Sequence, residues 1–150
     1  MNYAHNVIVT VFAKEEEQTE EILNGLRGIF PFDLTEEKLK IKQENAEGIN
    51  GSKITIFKVT LEKTRHTNQF LAHLNDKLSS EQKETLLTQK ESRLDEDLAF
   101  YIRLNKKDLI NGKYTLTDSG NCYHIRIHLA AFPAKREPAL EIIEKIFKPN

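Results

Sequence analysis

The segment NCYHIRIHL, residues 121–129, alternates strictly between apolar and polar or reactive side chains. One set contains Tyr123, Ile125, Ile127 and Leu129, and the other contains Cys122, His124, Arg126 and His128. Successive side chains of a β-strand point to opposite faces, so the pattern predicts a strand with one buried and one outward side. An outward side of imidazole and guanidinium groups suits either plain solvation or the binding of an anionic ligand.

Similar patterns predict the other elements. Strands are expected at residues 3–13, 38–43, 53–63 and 97–105, with a short one after residue 112. In the first of these strands, Val7, Val9 and Val11 share one apolar face. Helices are expected at 15–30, 80–92, 106–112 and 135–147, the last with Leu140, Ile143 and Phe147 facing inward. Another helix, capped by Thr64 or Thr67, is expected to carry the apolar stripe Phe70, Leu71, Leu74 and Leu78. Ser79 and Gln82 form a capping box, and Asn50-Gly51 indicates a hairpin turn within 46–52.

The length and composition limit the class of protein. The chain has 150 residues, with 30% charged and 39% hydrophobic residues, which favours one globular domain over 1–150. The alternation of strands and helices predicts an α/β fold of the α+β type. We expect a single-domain two-layer sandwich, with an open mixed or antiparallel sheet and helices packed on one face.

Other features concern location and cofactors. No apolar run is long enough for a membrane span, and the first residues do not resemble a signal peptide. The single cysteine, Cys122, excludes an internal disulfide and a multi-cysteine zinc site, and it fits a reducing cytoplasm. No phosphate-binding glycine loop or nucleophile elbow occurs. We therefore expect no cofactor and no metal.

Charge is segregated along the chain although the net charge is only −1. Residues 1–50 carry 5 Lys/Arg and 10 Asp/Glu, residues 51–100 carry 8 and 8, and residues 101–150 carry 9 and 5. The net charges are therefore −5, 0 and +4. A basic last third containing the alternating strand points to an anionic partner, although offsetting acidic and basic helices would give the same numbers.

A basic face is predicted on the sheet. If the apolar sides of the strands are buried, Tyr101 and Arg103 face outward on one strand, and His124 and Arg126 do so on another, with His128 peripheral. In the strand at 53–63, the preferred register buries Phe57, Val59 and Leu61 and exposes Lys58 and Thr60. Lys106, Lys107, Lys135 and Arg136 could extend this face as phosphate contacts. Cationic groups bind RNA phosphates, and Tyr or Arg planes stack on unpaired bases.

The two histidines of the basic strand do not form an acid–base pair. His124 and His128 are four residues apart, which is about 13 Å along a strand, too far for both to reach one phosphate. His5, His66 or His73 would have to supply the second imidazole, and the sequence does not locate them. The Gly48–Gly51 segment matches the GxxG clamp of KH domains, but it lies between two predicted strands, where a hairpin turn is favoured.

The last third of the chain resembles an archaeal RNA-binding-domain family described as a predicted exosome subunit. The resemblance rests on FYIRLNKKDLINGKYTLTDSGNCYHIRIHLAAFPAKREPALEII, residues 100–143. Its matching positions are Arg103, Lys106, Gly112, Arg126, Pro133, Ala134, Lys135, Arg136 and Glu137. Asn105 and Lys107 replace the usual Asp and Gln, and the segment Gly48–Ile54 lacks the histidine that the family tends to have there.

The resemblance implies a fold similar to the ribosomal protein that binds 5S RNA. It also implies an archaeal cytoplasmic setting and RNA binding without catalysis. The partners that it implies are RNA and the exosome or other RNA-processing proteins. The alternative function is a protein–protein assembly module that uses the same basic face against a partner or a second copy of the chain. The oligomeric state, a homodimer included, stays open.

Overall fold

The computed structural model describes residues 1–149. Its strands are β1 (Ala4–Lys14), β2 (Lys42–Glu47), β3 (Lys53–Leu61), β4 (Ala99–Asn105) and β5 (Cys122–Leu129). Its helices are α1 (Thr19–Gly28), α2 (Thr64–Lys77), α3 (Ser80–Thr88), α4 (Lys90–Arg93), α5 (Lys106–Ile110) and α6 (Arg136–Ile146). Within residues 1–149, no helix is both long and apolar enough to cross a membrane.

The strands form an open antiparallel sheet in the order β2-β3-β1-β5-β4. This confirms the predicted α/β class and the open sheet. β2 is an edge strand and pairs with β3 through a hairpin, in a register that places Glu47 opposite Lys53. Gly51 has a φ of +73° in the turn, a conformation that favours glycine. The predicted hairpin at Asn50-Gly51 is therefore present.

Contacts divide the chain into two compact units, so the expectation of one domain stays a prediction. The first unit contains Met1–Val7, Leu61–Ile102 and Arg126–Asn150. The second unit contains Ile8–Thr60 and Arg103–Ile125.

The first unit buries the apolar side of its helices. The predicted stripe is buried at Phe70, Leu71 and Leu74 of α2 and at Leu78, the C-cap residue of this helix. Ser79 and Gln82 form the predicted capping box at the start of α3, where each side chain bonds the other residue's amide. Ile143 of α6 and Phe147, the C-cap residue of this helix, are buried as expected, but Leu140 is only half-buried and Ala139 takes the inward position.

The second unit buries one side of the parts of β1, β3 and β5 that it contains, whereas β2 is exposed throughout. Val9 and Val11 of β1, Phe57 and Val59 of β3, and Tyr123 and Ile125 of β5 are buried. The preferred register of β3 is thus confirmed, with Lys58 and Thr60 on the other side. The Tyr123 hydroxyl donates a 2.6 Å hydrogen bond to the carbonyl of Ile22 in α1, which ties this helix to β5.

Several predicted elements differ from the structure. Residues 80–92 form two helices, α3 and α4, and the short strand expected after residue 112 is reduced to an isolated bridge between Leu104 and Leu116. The strand expected at 38–43 begins only at Lys42, because residues 33–39 form hydrogen-bonded turns and Lys38 has a φ of +59°. Helix α1 starts at Thr19, not at residue 15, since Glu17 closes a turn with Lys14 instead. Neither Thr64 nor Thr67 caps α2, whose N-cap is Lys63 without a side-chain hydrogen bond.

Candidate functional site

The eight residues predicted to contact RNA are divided between the two units. Tyr101, Arg126, Lys135 and Arg136 lie in the first unit, and Arg103, Lys106, Lys107 and His124 lie in the second.

In the first unit, the hydroxyl group of Tyr101 bridges Asp95 and Arg126. Its hydroxyl donates a 2.8 Å hydrogen bond to Oδ2 of Asp95 and accepts one of 3.2 Å from Nε of Arg126. The amide groups of Asp97 and Ala99 both donate to Oδ1 of the same carboxylate at 2.9 Å. Strand alternation turns Tyr101 and Arg126 to the outward side, as predicted, and both are half-buried.

The pKa of Asp95 is lowered by this arrangement. Burial alone would raise the pKa, but it is outweighed by the hydrogen bonds from Ala99, Tyr101 and Asp97, together with the charge of Arg126. Asp95 is therefore ionised at neutral pH and offsets part of the positive charge of Arg126.

His128 has a histidine neighbour that strand spacing does not reveal. The rings of His5 and His128 have centroids 5.0 Å apart, and Asn6 Nδ2 lies 3.5 Å from His128 Nδ1. The pKa of His128 is lowered by burial first, and then by the charges of His5 and Arg126. His128 is thus neutral at pH 7, and it contributes no permanent charge to an anion site.

Lys135 and Arg136 lie beside the start of α6. They line a cavity of about 470 Å³ together with His5, Glu96, Asp97 and His128, among others. The guanidinium of Arg136 donates to the carbonyls of Leu94 and Glu91 at 3.1 and 2.9 Å, so its donors are partly engaged by the chain itself. Lys135 is exposed, but two carboxylates share the cavity with these cations.

In the second unit, the structure brings Arg103 and His124 together. Both line a cavity of about 300 Å³ on the outward side of their strands, whose other lining residues are Thr10, Phe12, Gly120 and Cys122. The guanidinium of Arg103 donates a 3.1 Å hydrogen bond to the carbonyl of Asp118. This bond orients the group without neutralising its charge.

Cys122 is buried at the edge of that cavity. Burial raises the pKa of its thiol, against a smaller opposite effect of Arg103 and Lys106. The thiol therefore stays protonated at neutral pH and is a poor nucleophile.

Lys106 does not occupy the exposed position expected of a phosphate contact. It is only 3% exposed, and its Nζ donates to the carbonyl of Phe12 at 2.6 Å and to both carboxylate oxygens of Glu17 at 3.1 and 3.2 Å. Its neighbour Lys107 is exposed. The sequence does not show which lysine pairs with a distant carboxylate. Only the structure therefore distinguishes the buried Lys106 from the exposed Lys107.

Phe12 is one of the cavity residues that were not among the predicted contacts. It is 46% exposed and alternates with the buried Val11 and Ala13 of β1. The period-two pattern that assigned Val7, Val9 and Val11 to the buried side also places Phe12 on the outward side. That pattern was therefore a usable signal for an exposed aromatic ring.

Within residues 1–149, no three His, Cys, Asp or Glu side chains are grouped closely enough to hold a metal ion. The chemistry available at the outward positions is instead that of guanidinium, imidazole, ammonium and aromatic groups.

The fold and these side chains define an α/β protein whose sheet displays arginine, histidine and aromatic residues on outward strand positions. A family model described as RNA binding matches residues 6–129, and the chain belongs to this RNA-binding family. The resemblance inferred from residues 100–143 is confirmed at the level of the family.

Individual relatives are archaeal. The chain is 28% identical over 142 residues to RNA-binding protein PAB1135 of Pyrococcus abyssi, covering 95% of this chain and 92% of the relative. The crystal structure of protein AF2318 from Archaeglobus fulgidus has a TM-score of 0.85 at 26% identity, covering 95% of this chain and 99% of that one. The structure of Mth689 from Methanothermobacter thermautotrophicus has a TM-score of 0.79 at 27% identity, covering 97% and 99%.

Proposed function

We propose that this chain is a non-catalytic protein that binds RNA through outward side chains of β4 and β5 and through nearby basic residues. Membership of the RNA-binding family is the observation that carries the proposal. The proposed contacts are Tyr101, Arg103, Lys107, His124, Arg126, Lys135 and Arg136. Lys106 is left out of this set, because its ammonium group is buried against Glu17.

Arg103 and Arg126 are the strongest members of the set. Arg103 is exposed and its guanidinium is held by a carbonyl, which leaves the positive charge available to a phosphate or a base. Arg126 is held in place by a hydrogen bond to Tyr101. The nearby carboxylate of Asp95 offsets part of its positive charge, so Arg126 offers less net charge to a ligand. We therefore expect Arg103 to contribute more to RNA affinity than Arg126.

The test is a salt titration of binding to single-stranded and to structured RNA, measured by fluorescence anisotropy. Binding should weaken steeply as salt rises, because phosphate contacts release counterions. The double variant Arg103→Ala/Arg126→Ala should bind more weakly and show a salt slope smaller by up to about 2, roughly one for each lost phosphate contact.

A charge-matched control separates specific contacts from net charge. Lys42 and Lys145 are exposed and lie in β2 and α6, so Lys42→Ala/Lys145→Ala removes the same charge elsewhere. Equal affinity of the two double variants would assign the effect to net charge alone. Absence of RNA binding at low salt would exclude the proposed function and leave the assembly module as the explanation of the basic positions.

The non-catalytic part of the proposal has its own test. The sequence argument against cleavage concerned His124 and His128, whereas the structure pairs His128 with His5. Labelled RNA incubated with the protein between about pH 5 and 8 should stay intact. Cleavage that disappears in His128→Gln would contradict this part while leaving RNA binding in place.

We also propose a cytoplasmic role in archaeal RNA processing, with the exosome as one protein partner. The proposal is supported by the resemblance of residues 100–143 and by the archaeal source of the relatives. Co-elution of the protein with a reconstituted archaeal exosome in size-exclusion chromatography would support it. Separate elution with and without RNA would remove the exosome link without affecting the RNA-binding proposal.

A further inference from the structure

The cavity of the second unit combines an aromatic ring, a cation and polar groups. Its volume of about 300 Å³ is at the lower end of the range of small-molecule sites, which suits one ring system and not a long segment of a ligand. Phe12 and Arg103 are exposed at its border, and Thr10 and His124 are half-buried in their strands.

Phe12 supplies a flat apolar surface that the chain itself covers only in part. A phenylalanine that is 46% exposed on a strand gives up much of the free energy that burial of its ring would provide. Unpaired nucleobases stack on such rings, and the interaction is tolerant of base identity because every base has a π-face. An exposed ring bordering a cavity is therefore suited to stacking.

The charge of the cavity favours the same class of ligand. Its lining contains Arg103 and no carboxylate. Thr10 adds a hydroxyl group that can both donate and accept hydrogen bonds, as the edge of a base requires. A guanidinium can stack on the base or contact its phosphate, whereas a purely apolar ligand would leave these polar groups unused.

We propose that this cavity holds one unstacked nucleobase of a single-stranded RNA, with Phe12 as its stacking partner and Arg103 as its cationic contact. The proposal rests on RNA binding as proposed above and names the part of the RNA that this surface takes. It assigns to Phe12 a role in affinity that goes beyond the basic residues.

The chain contains no tryptophan, so Phe12→Trp introduces a single indole fluorophore at the cavity. Titration with a single-stranded RNA oligonucleotide should quench its emission as the base stacks on the indole. In parallel, Phe12→Ala should raise Kd by roughly 5- to 150-fold, the range for loss of one base–aromatic stack. Phe12→Leu keeps an apolar side chain on β1 and should weaken binding as well, because it lacks the ring.

Phe132 provides the matched controls, since it is a phenylalanine that is 96% exposed, lies in the first unit and is not part of the cavity. Phe132→Trp should show no comparable quenching, and Phe132→Ala should leave Kd unchanged. Unfolding curves of Phe12→Ala and Phe12→Leu establish that both variants are folded.

The outcomes distinguish the two proposals. RNA binding by Phe12→Trp in anisotropy without a change in emission would overturn the base cavity and leave RNA binding intact. Equal affinity of Phe12→Leu and the unmodified protein would do the same. Absence of RNA binding by the unmodified protein at low salt would remove the proposed function, and the base cavity with it.

Discussion

The hydroxyl of Tyr101 donates a 2.8 Å hydrogen bond to Asp95, although strand alternation alone presents this tyrosine as an open ring on the outward side of β4. The same oxygen accepts from Arg126 at 3.2 Å. Tyr101 therefore fixes the position of Arg126 through its hydroxyl group. The contribution of this group can be measured by removing the hydroxyl alone.

Tyr101→Phe should lower the free energy of unfolding by about 1–2 kcal/mol, because a hydrogen bond to a charged carboxylate is lost. It should also raise the pKa of Asp95, since this hydroxyl is one of the groups that lower it. Urea unfolding at pH 7 measures the first effect, and NMR titration of the Asp95 carboxyl measures the second. An unchanged pKa of Asp95 would contradict the arrangement.

Tyr3→Phe is the matched control. Tyr3 lies in the same unit and is half-buried, and its hydroxyl makes no hydrogen bond to the described residues 1–149. Its replacement should change neither the pKa of Asp95 nor the free energy of unfolding by more than about 0.5 kcal/mol.

Gly25 of α1 lies against Tyr123, and this contact gives a second prediction. A Cβ atom at Gly25 would be 2.3 Å from the Tyr123 hydroxyl oxygen, and that hydroxyl is held by the carbonyl of Ile22. Gly25→Ala should therefore lower the free energy of unfolding by about 1–3 kcal/mol, as overpacking of a core does. Denaturant unfolding measures it.

Gly28, at the end of the same helix, is the control for the change in backbone freedom. No heavy atom would lie within 4 Å of a Cβ atom there, outside its chain neighbours and its own helix. Gly28→Ala should leave the free energy of unfolding unchanged or raise it by up to about 1 kcal/mol. Equal losses in the two variants would mean that Tyr123 does not restrict position 25.

The strands and their buried sides could be predicted because the alternation of apolar and polar residues can be read from the sequence of each strand alone. This holds for β1, β4 and β5, whose alternating burial follows the sequence. The position of β2 could not be predicted in the same way, since its residues are all exposed and carry no apolar pattern. The first and last residues of β2 are set by its pairing with β3, because the turn between the two strands places Glu47 opposite Lys53.

The candidate site was predictable in part for a similar reason. Outward positions such as Arg103 and Arg126 follow from strand alternation. The pairing of Lys106 with Glu17 and of His128 with His5 depends on residues 89 and 123 positions apart, which no local pattern reports. Long-range contacts of this kind decide which charges are available to a ligand.

The buried position of Lys106 gives a third prediction. Lys106→Ala should lower the free energy of unfolding by about 2–4 kcal/mol, because Glu17 and the Phe12 carbonyl lose a buried charged partner. Lys107→Ala, the neighbouring exposed lysine, should change it by no more than about 0.5 kcal/mol. Urea unfolding at pH 7 compares them.

The charge on Glu17 explains the size of the stability loss expected for Lys106→Ala, and its contribution can be tested separately. The double variant Lys106→Met/Glu17→Gln should lose less stability than Lys106→Met alone, because no carboxylate is left without its partner. Equal losses would show that packing, and not the ion pair, sets the contribution of Lys106.

The lowered pKa of His128 gives a pH dependence of stability. Its causes are burial first, then the charges of His5 and Arg126, while Asp95 and Asp97 act in the opposite direction. The unfolded chain binds a proton at this residue more readily than the folded chain does. The contribution of neutral His128 is therefore fully present above the ordinary pKa of about 6.5 and is lost as pH falls through this value toward the lowered one.

His128→Gln should accordingly reduce the difference in free energy of unfolding between pH 8 and pH 5, measured by urea denaturation at constant ionic strength. The pKa of His73 is lowered too, by burial and then by Lys77, so part of the difference should persist. His73→Gln/His128→Gln should reduce it further. Stopping at pH 5 avoids the protonation of Asp95, whose lowered pKa makes stability fall only in more acidic solution. The same pH dependence in the unmodified protein and in His128→Gln would show that His128 keeps its ordinary pKa in the folded chain.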